Sequence, residues 1–162
     1  MTDKNNASLT HIGSDGSAQM VDVSERAITH RAATVQGKVL LSAEVRELIA
    51  ANGVTKGNVL EIARIASIMG AKKTPELIPL CHPIAISGMD VKVELVDDGV
   101  LVSAEVRTTD RTGVEMEAFT AVAVAGLTII DMIKAVDAFA TITDIKLIEK
   151  SGGKNGHWTR EK

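Results

Sequence analysis

Tyrosine is absent from this 162-residue chain, and two phenylalanines and one tryptophan supply all of its aromatic rings. A protein that reads single-stranded nucleic acid by base stacking needs more platforms than that. A basic excess is missing too: 18 Lys and Arg stand against 21 Asp and Glu, for a net charge of -3. No global field therefore draws the chain to nucleic acid or to an anionic membrane. The single cysteine, Cys81, excludes an internal disulfide and any multi-cysteine zinc or iron–sulfur site. Such usage suits a reducing compartment, so a cytoplasmic protein is expected. The longest near-apolar run, Ala118–Ile130, falls short of the ~20 residues that a membrane span requires, and a soluble protein is expected. Dinucleotide and P-loop glycine signatures are lacking. His11, His30, His82 and His157 are scattered, without metal-ligand spacing.

What is present describes one globular domain: 45% hydrophobic and 24% charged residues. Residues 1–19, rich in Asn, Ser, Gly and Thr, are expected to form a flexible arm, with one catalytic domain over 20–162. Ala33–Leu41 reads as a strand. Ser42 caps a helix over AEVRELIAA that stops at Asn52-Gly53. A second helix starts near Gly57 and runs through NVLEIARIASIMG, with Gly70 and Pro75 as its end or break. Alternation in Met89–Val96 and Val100–Arg107 about Asp97-Asp98-Gly99 predicts a hairpin with one buried face. A long helix over Val114–Asp137 and a strand over Thr141–Ile148 complete the order β-α-α-β-β-α-β. Setting the extra helix aside leaves the split β-α-β pattern, so the expected class is α+β: a ferredoxin-like antiparallel sheet with helices on one face.

Three places carry polar groups that a bland core would not need. In Ile78-Pro79-Leu80-Cys81-His82-Pro83 two prolines bracket a Cys-His pair, which would present His82 rigidly for binding or proton transfer; an ordinary turn is the plainer alternative. In the long helix, Glu115 and Glu117 could simply complement the helix dipole. Asp131 and Lys134, three residues apart beyond the apolar run, share a face and could be no more than a solvated ion pair. Glu117 and Asp131 lie within about 40° of each other around the axis but ~21 Å apart along it. One small site in one subunit could hardly use both ends, whereas a site crossing a subunit interface could. Third, Lys150-Ser151-Gly152-Gly153-Lys154 follows a strand and suits an anion, a solvated tail being the plainer alternative; Lys56-Gly57 at the start of the second helix also suits an anion.

Taken together, LTHIGSDGSAQMVDVS, TKGNVLEIARIASIMGAKKTPELIPLCHP, TGVEMEAFTAVAVAGLTIIDMIKAVD and KLIEKSGGKNG resemble the molybdenum cofactor biosynthesis protein C family, the cyclic pyranopterin monophosphate synthases. The match is collinear from about Leu9 to Gly156. The resemblance implies a lyase that converts (8S)-3′,8-cyclo-7,8-dihydroguanosine 5′-triphosphate to cyclic pyranopterin monophosphate and diphosphate. It also implies a homohexamer, a trimer of dimers, with active sites at the dimer interface. Carried over motif by motif, Asp131, Lys134 and Lys56 look like the catalytic group, and either lysine could be the acid. Leu80, Cys81, His82, Met116 and Glu117 look like the substrate pocket, with Glu115, Lys150, Lys154 and Arg31 near it. Ile130 and Ile133 depart from the pattern, since relatives often carry an aromatic and a cysteine there.

Diphosphate departure needs cations, and ring opening and closure need proton transfers, which these residue types supply. No cofactor is required; Mg2+ would enter, if at all, with the substrate triphosphate. The expected partner is therefore a small nucleotide-derived molecule, with no nucleic acid and no membrane. Two rivals remain: a non-catalytic nucleotide-sensing module, which would lack an acid–base pair, and a cyclohydrolase-like enzyme, which would want metal ligands.

Overall fold

The computed structural model describes residues 12, 15–154 and 156–161 of the chain. The expected arm at 1–19 thus lies largely outside the described residues, as does His11. The elements in chain order are β1 (Thr29–Leu40), α1 (Ala43–Ala50), α2 (Val59–Lys72), α3 (Thr74–Leu77), β2 (Ile86–Val96), β3 (Gly99–Asp110), α4 (Glu115–Ile133), β4 (Thr141–Ser151) and β5 (Trp158–Thr159).

Local chemistry sets most of the boundaries. Ser42 Oγ accepts from the Val45 N–H, and Asn58 Oδ1 from the Glu61 N–H, so each satisfies a free donor at a helix start. After α1 the chain turns out through Asn52, at φ 52°, and the Gly53 N–H closes on the Leu48 carbonyl. α2 begins at Val59, after its Asn58 cap, and it runs through Gly70 instead of ending there. Gly70 is a packing position: a Cβ on it would lie 2.8 Å from Val124 of α4. Pro75, expected to end or break α2, instead lies in the first turn of the short α3, where proline forfeits no helical hydrogen bond. α4 stops at Ile133, short of the expected Asp137. The Asp137 carboxylate instead accepts from the backbone N–H groups of Ser42 and Phe139, at 2.8 and 3.0 Å, which competes with helical geometry.

The strands form one antiparallel sheet in the order β2-β3-β1-β4-β5. Its first four strands have the order of the split β-α-β motif, as the element pattern predicts. The β2–β3 hairpin pairs Val96 with Gly99 across Asp97-Asp98. Alternate side chains Ala33, Val35 and Val39 of β1 and Val100, Val102, Ala104 and Val106 of β3 are buried. They form the floor on which α4 lies, with α2 packed along α4 and against β2. α4 is 19 residues long with mean hydropathy 1.7, enough to cross a membrane by length and composition alone. More than half of it is buried in the core beneath the sheet, which accounts for its apolar character.

Candidate active site

Asp131 ends the apolar run of α4 and holds two lysines. Lys134, one turn on, places Nζ 2.8 Å from Asp131 Oδ1. Lys56, from the turn before α2, places Nζ 3.1 Å from Oδ2 and donates to the Asp131 backbone carbonyl at 2.6 Å. Contact between α2 and α4 brings together residues 75 positions apart in the chain. The cluster is open to solvent, and the two lysines, Lys134 foremost, hold the Asp131 carboxyl below its ordinary value. Lys56, just before the Asn58-capped start of α2, is thus a partner of Asp131.

The other predicted residues gather at the opposite end of α4. Leu80, Cys81 and His82 follow α3 and line a cavity of about 410 Å³ with Met116, Glu115, Val21, Val23 and Arg26. A second cavity of about 990 Å³ adjoins it, sharing Arg26, Gly113 and Glu115, and is walled by Arg31, Lys150 and Lys154. Lys150 Nζ lies 3.0 Å from Glu115 Oε1, so the acidic first turn of α4 answers a strand lysine as well as the helix dipole. The glycine loop after β4 is shaped by close approach. Gly152 and Gly153 have φ of 88° and 72°, and a Cβ on Gly153 would sit 2.4 Å from an Arg31 guanidinium nitrogen. The loop can press onto Arg31 only because it lacks side chains there.

Glu117 is the unusual member. Only 1% exposed, its Oε1 meets the Cys81 thiol at 3.9 Å, and its buried Oε2 has no hydrogen-bond partner among the described residues. Burial pushes its carboxyl above the ordinary value. Burial, and then the Glu117 carboxyl, push the Cys81 thiol up as well. Helical geometry puts Glu117 and Asp131 on nearly one azimuth, but the Cys81 segment covers the first while the second stands in solvent.

Sequence reasoning missed Val21, Val23, Arg26, Thr29, Thr112 and Gly113 as cavity wall. Thr29 has a buried hydroxyl without a partner among the described residues, a feature that no pattern along the chain marks. Among the described residues no group of three or more His, Cys, Asp or Glu side chains is placed to hold a metal ion. His30 faces Thr109 Oγ1 and His157 faces Glu149, so His82 is the histidine found on a cavity wall.

Neither cavity is lined by Lys56, Asp131 or Lys134. One chain therefore carries two separate groups of polar residues: a carboxylate held by two lysines at one end of α4, and two adjoining cavities with cationic walls at the other, ~21 Å away along the helix.

Comparison with known proteins covers both groups. The chain is 57% identical over 152 residues to a cyclic pyranopterin monophosphate synthase of Streptomyces coelicolor, across 94% of this chain and 89% of the relative. It is 56% identical over 155 residues to the synthase of a Nocardioides species, across 94% of this chain and 95% of the relative. It is 50% identical over 159 residues to cyclic pyranopterin monophosphate synthase 2 of Mycobacterium tuberculosis, across 98% of this chain and 95% of the relative. The MoaC family model matches residues 20–153, a span that holds Lys56, Asp131 and Lys134 together with both cavity walls as far as Gly153. With that span matched and half or more of its positions shared with these relatives, the chain belongs to the MoaC family.

Proposed function

We propose that this chain is a cyclic pyranopterin monophosphate synthase, a lyase of molybdenum cofactor biosynthesis. It converts (8S)-3′,8-cyclo-7,8-dihydroguanosine 5′-triphosphate to cyclic pyranopterin monophosphate and diphosphate. Family membership supplies the reaction. The observation that carries the chemistry is the Asp131 carboxylate, which binds one lysine on each oxygen.

The reaction expels diphosphate, closes a cyclic phosphate and rebuilds a purine-derived ring. Arg31, Lys150 and Lys154 line one cavity and supply the positive charge that a departing diphosphate needs. His82, Cys81, Leu80 and Met116 wall the smaller cavity, which suits the flat heterocycle, and Glu117 lies buried beneath it against Cys81. Lys56 and Lys134 stand where Asp131 orients them, as proton donors for ring opening and closure. No step requires a protein-bound metal or organic cofactor; Mg2+ would arrive on the triphosphate.

Reacting groups must come within about 3–3.5 Å of one another, and the half-sites of one chain lie too far apart for that. The active assembly is a homohexamer, a trimer of dimers, whose dimer contact sets the Asp131 end of one α4 beside the pocket of its neighbour. A two-fold contact does this naturally, because it presents the same surface twice in opposite directions. Exposed Ile62, Ile65 and Met69 on α2 and Leu127 on α4 support it with apolar surface on two neighbouring helices. A cytoplasmic enzyme acting on a small nucleotide-derived substrate, and on neither nucleic acid nor membrane, completes the proposal.

Incubating the purified protein with the cyclised triphosphate tests it. Diphosphate and, after oxidation, a fluorescent pterin are expected. Binding without either product would favour a nucleotide-sensing module instead.

A further inference from the structure

Arg111 lies in the link between β3 and α4 and belongs to neither cavity wall, yet it ties together much of what does. Through one guanidinium nitrogen it donates to the backbone carbonyls of Ser24 and Arg26, the latter at 2.6 Å. Its own backbone N–H is fixed by Asp110 Oδ1 at 2.6 Å. Its carbonyl accepts from Arg31 Nη2 at 3.0 Å, while the Asp110 carbonyl accepts from Arg31 Nε at 3.1 Å.

The segment so held belongs to no helix or strand. Val21, Val23, Arg26 and Ala27 line the cavities, and the other hydrogen bonds within this stretch are local: Arg26 N–H to the Val23 carbonyl, and Ser24 to the Asp22 carboxylate. Local turns set the shape of a segment but not its position against the rest of the fold. That position comes from a cation shared between two carbonyls some 85 residues away in the chain. The same residue's carbonyl then aims Arg31, which Gly153 backs from the other side. The Arg111 side chain thus places a segment that walls both cavities, while the backbone carbonyls of Asp110 and Arg111 hold one of the pocket's cations.

We infer that Arg111 is a positioning residue for the substrate: its guanidinium clamps the Val21–Ala27 segment to the β3–α4 link and so sets the cavity wall that the cyclised triphosphate meets. This rests on the synthase reading above. The role lies in binding rather than in proton transfer, because the Lys56–Asp131–Lys134 cluster sits at the other end of α4. A guanidinium serves because it keeps its charge and offers several fixed donors to carbonyl oxygens.

The test uses the full chain with Asp131→Asn, which should bind substrate without turning it over. Titration calorimetry with the cyclised triphosphate is compared with and without Arg111→Ala and Arg111→Lys, alongside hydrogen exchange on the ligand-free proteins. Arg111→Ala should weaken Kd by about ten- to a hundredfold and Arg111→Lys by less. Amides of residues 21–28 should exchange faster in Arg111→Ala, while the melting temperature and assembly mass stay put. A Kd within twofold of the parent, or unchanged exchange over 21–28, overturns the proposal. So does a global loss of folding in both variants, which would make Arg111 a structural residue. If the Asp131→Asn parent itself ignores the cyclised triphosphate, the synthase reading fails, and exchange over 21–28 alone decides whether the clamp exists.

Discussion

Asp131 and Glu117 are both carboxylates on α4, and their surroundings push them in opposite directions. Asp131, in solvent between two lysines, is held below its ordinary value; Glu117, in the core beside a thiol, is raised above its own. Separate experiments follow. Asp131→Asn, Lys134→Ala and Lys56→Ala should each lower turnover by about 10²–10⁴-fold, the usual contribution of a placed acid or base. Circular dichroism and melting should stay near wild type, because all three side chains are largely exposed and leave no cavity. If all three variants melt or disassemble, the cluster is structural. Glu117 makes stability depend on pH. Its carboxyl in the folded chain binds a proton more tightly than at the unfolded value of 4.5. Above that value the unfolded chain holds fewer protons than the folded one, so stability falls as pH rises. Glu117→Gln should therefore gain melting temperature over wild type as pH climbs above about 4.5, with the gap closing at the acid end. A gap that does not vary with pH would show that burial does not set this proton.

α4 separates the half-sites because its length is fixed by rise per residue, and its position depends on how closely α2 can lie against it. Gly70 permits that closeness, with Val124 where its Cβ would be. Two effects compete at Gly70→Ala. Alanine is the better helix former by about 1 kcal/mol, whereas overpacking costs about 1–3 kcal/mol. Overpacking should win, since valine is stiff at χ1 and the clash falls on its Cβ and Cγ2. The urea midpoint of Gly70→Ala should drop, and adding Val124→Ala should restore part of it by making room. A midpoint above wild type for the single variant would show that α2 and α4 can separate freely. Because Lys56 precedes α2 and Asp131 sits on α4, the same variant should also weaken turnover.

At the scale of the whole molecule, the question is whether a complete site needs two chains. Lys56→Ala and His82→Ala subunits, each inactive alone, can be unfolded, mixed and refolded together. If each site joins the Lys56 end of one copy to the His82 pocket of another in a two-fold pair, every mixed dimer holds one intact site and one doubly altered site. Random pairing then returns about a quarter of wild-type activity. No recovery, in oligomers shown by mass spectrometry to be mixed, would put Lys56 and His82 of one chain in the same site.

Much was legible in the residues alone, and for local reasons. Alternation along β2 and β3 about Asp97-Asp98-Gly99, the caps at Ser42 and Asn52, and the apolar run of α4 are written in neighbouring positions. The signal and the structure therefore share one short length scale. The motifs around His82, Glu117, Asp131 and Lys150 stand out along the chain as polar residues out of place, and the spacing along α4 puts Glu117 and Asp131 at two distant ends. What only the tertiary structure decided depends on contacts between residues far apart in the chain. Gly70 reads as a helix end until Val124 is seen to fill the space beside it. Asp137 reads as more helix until it takes the Ser42 N–H. Lys56 reads as a cation at a helix start, and the packing of α2 on α4 gives it Asp131 as a partner. Arg111 reads as nothing until the fold returns Ser24 and Arg26 to its guanidinium. Pattern along a chain reports which face a residue takes, whereas the partner it meets there is set by the packing of the whole.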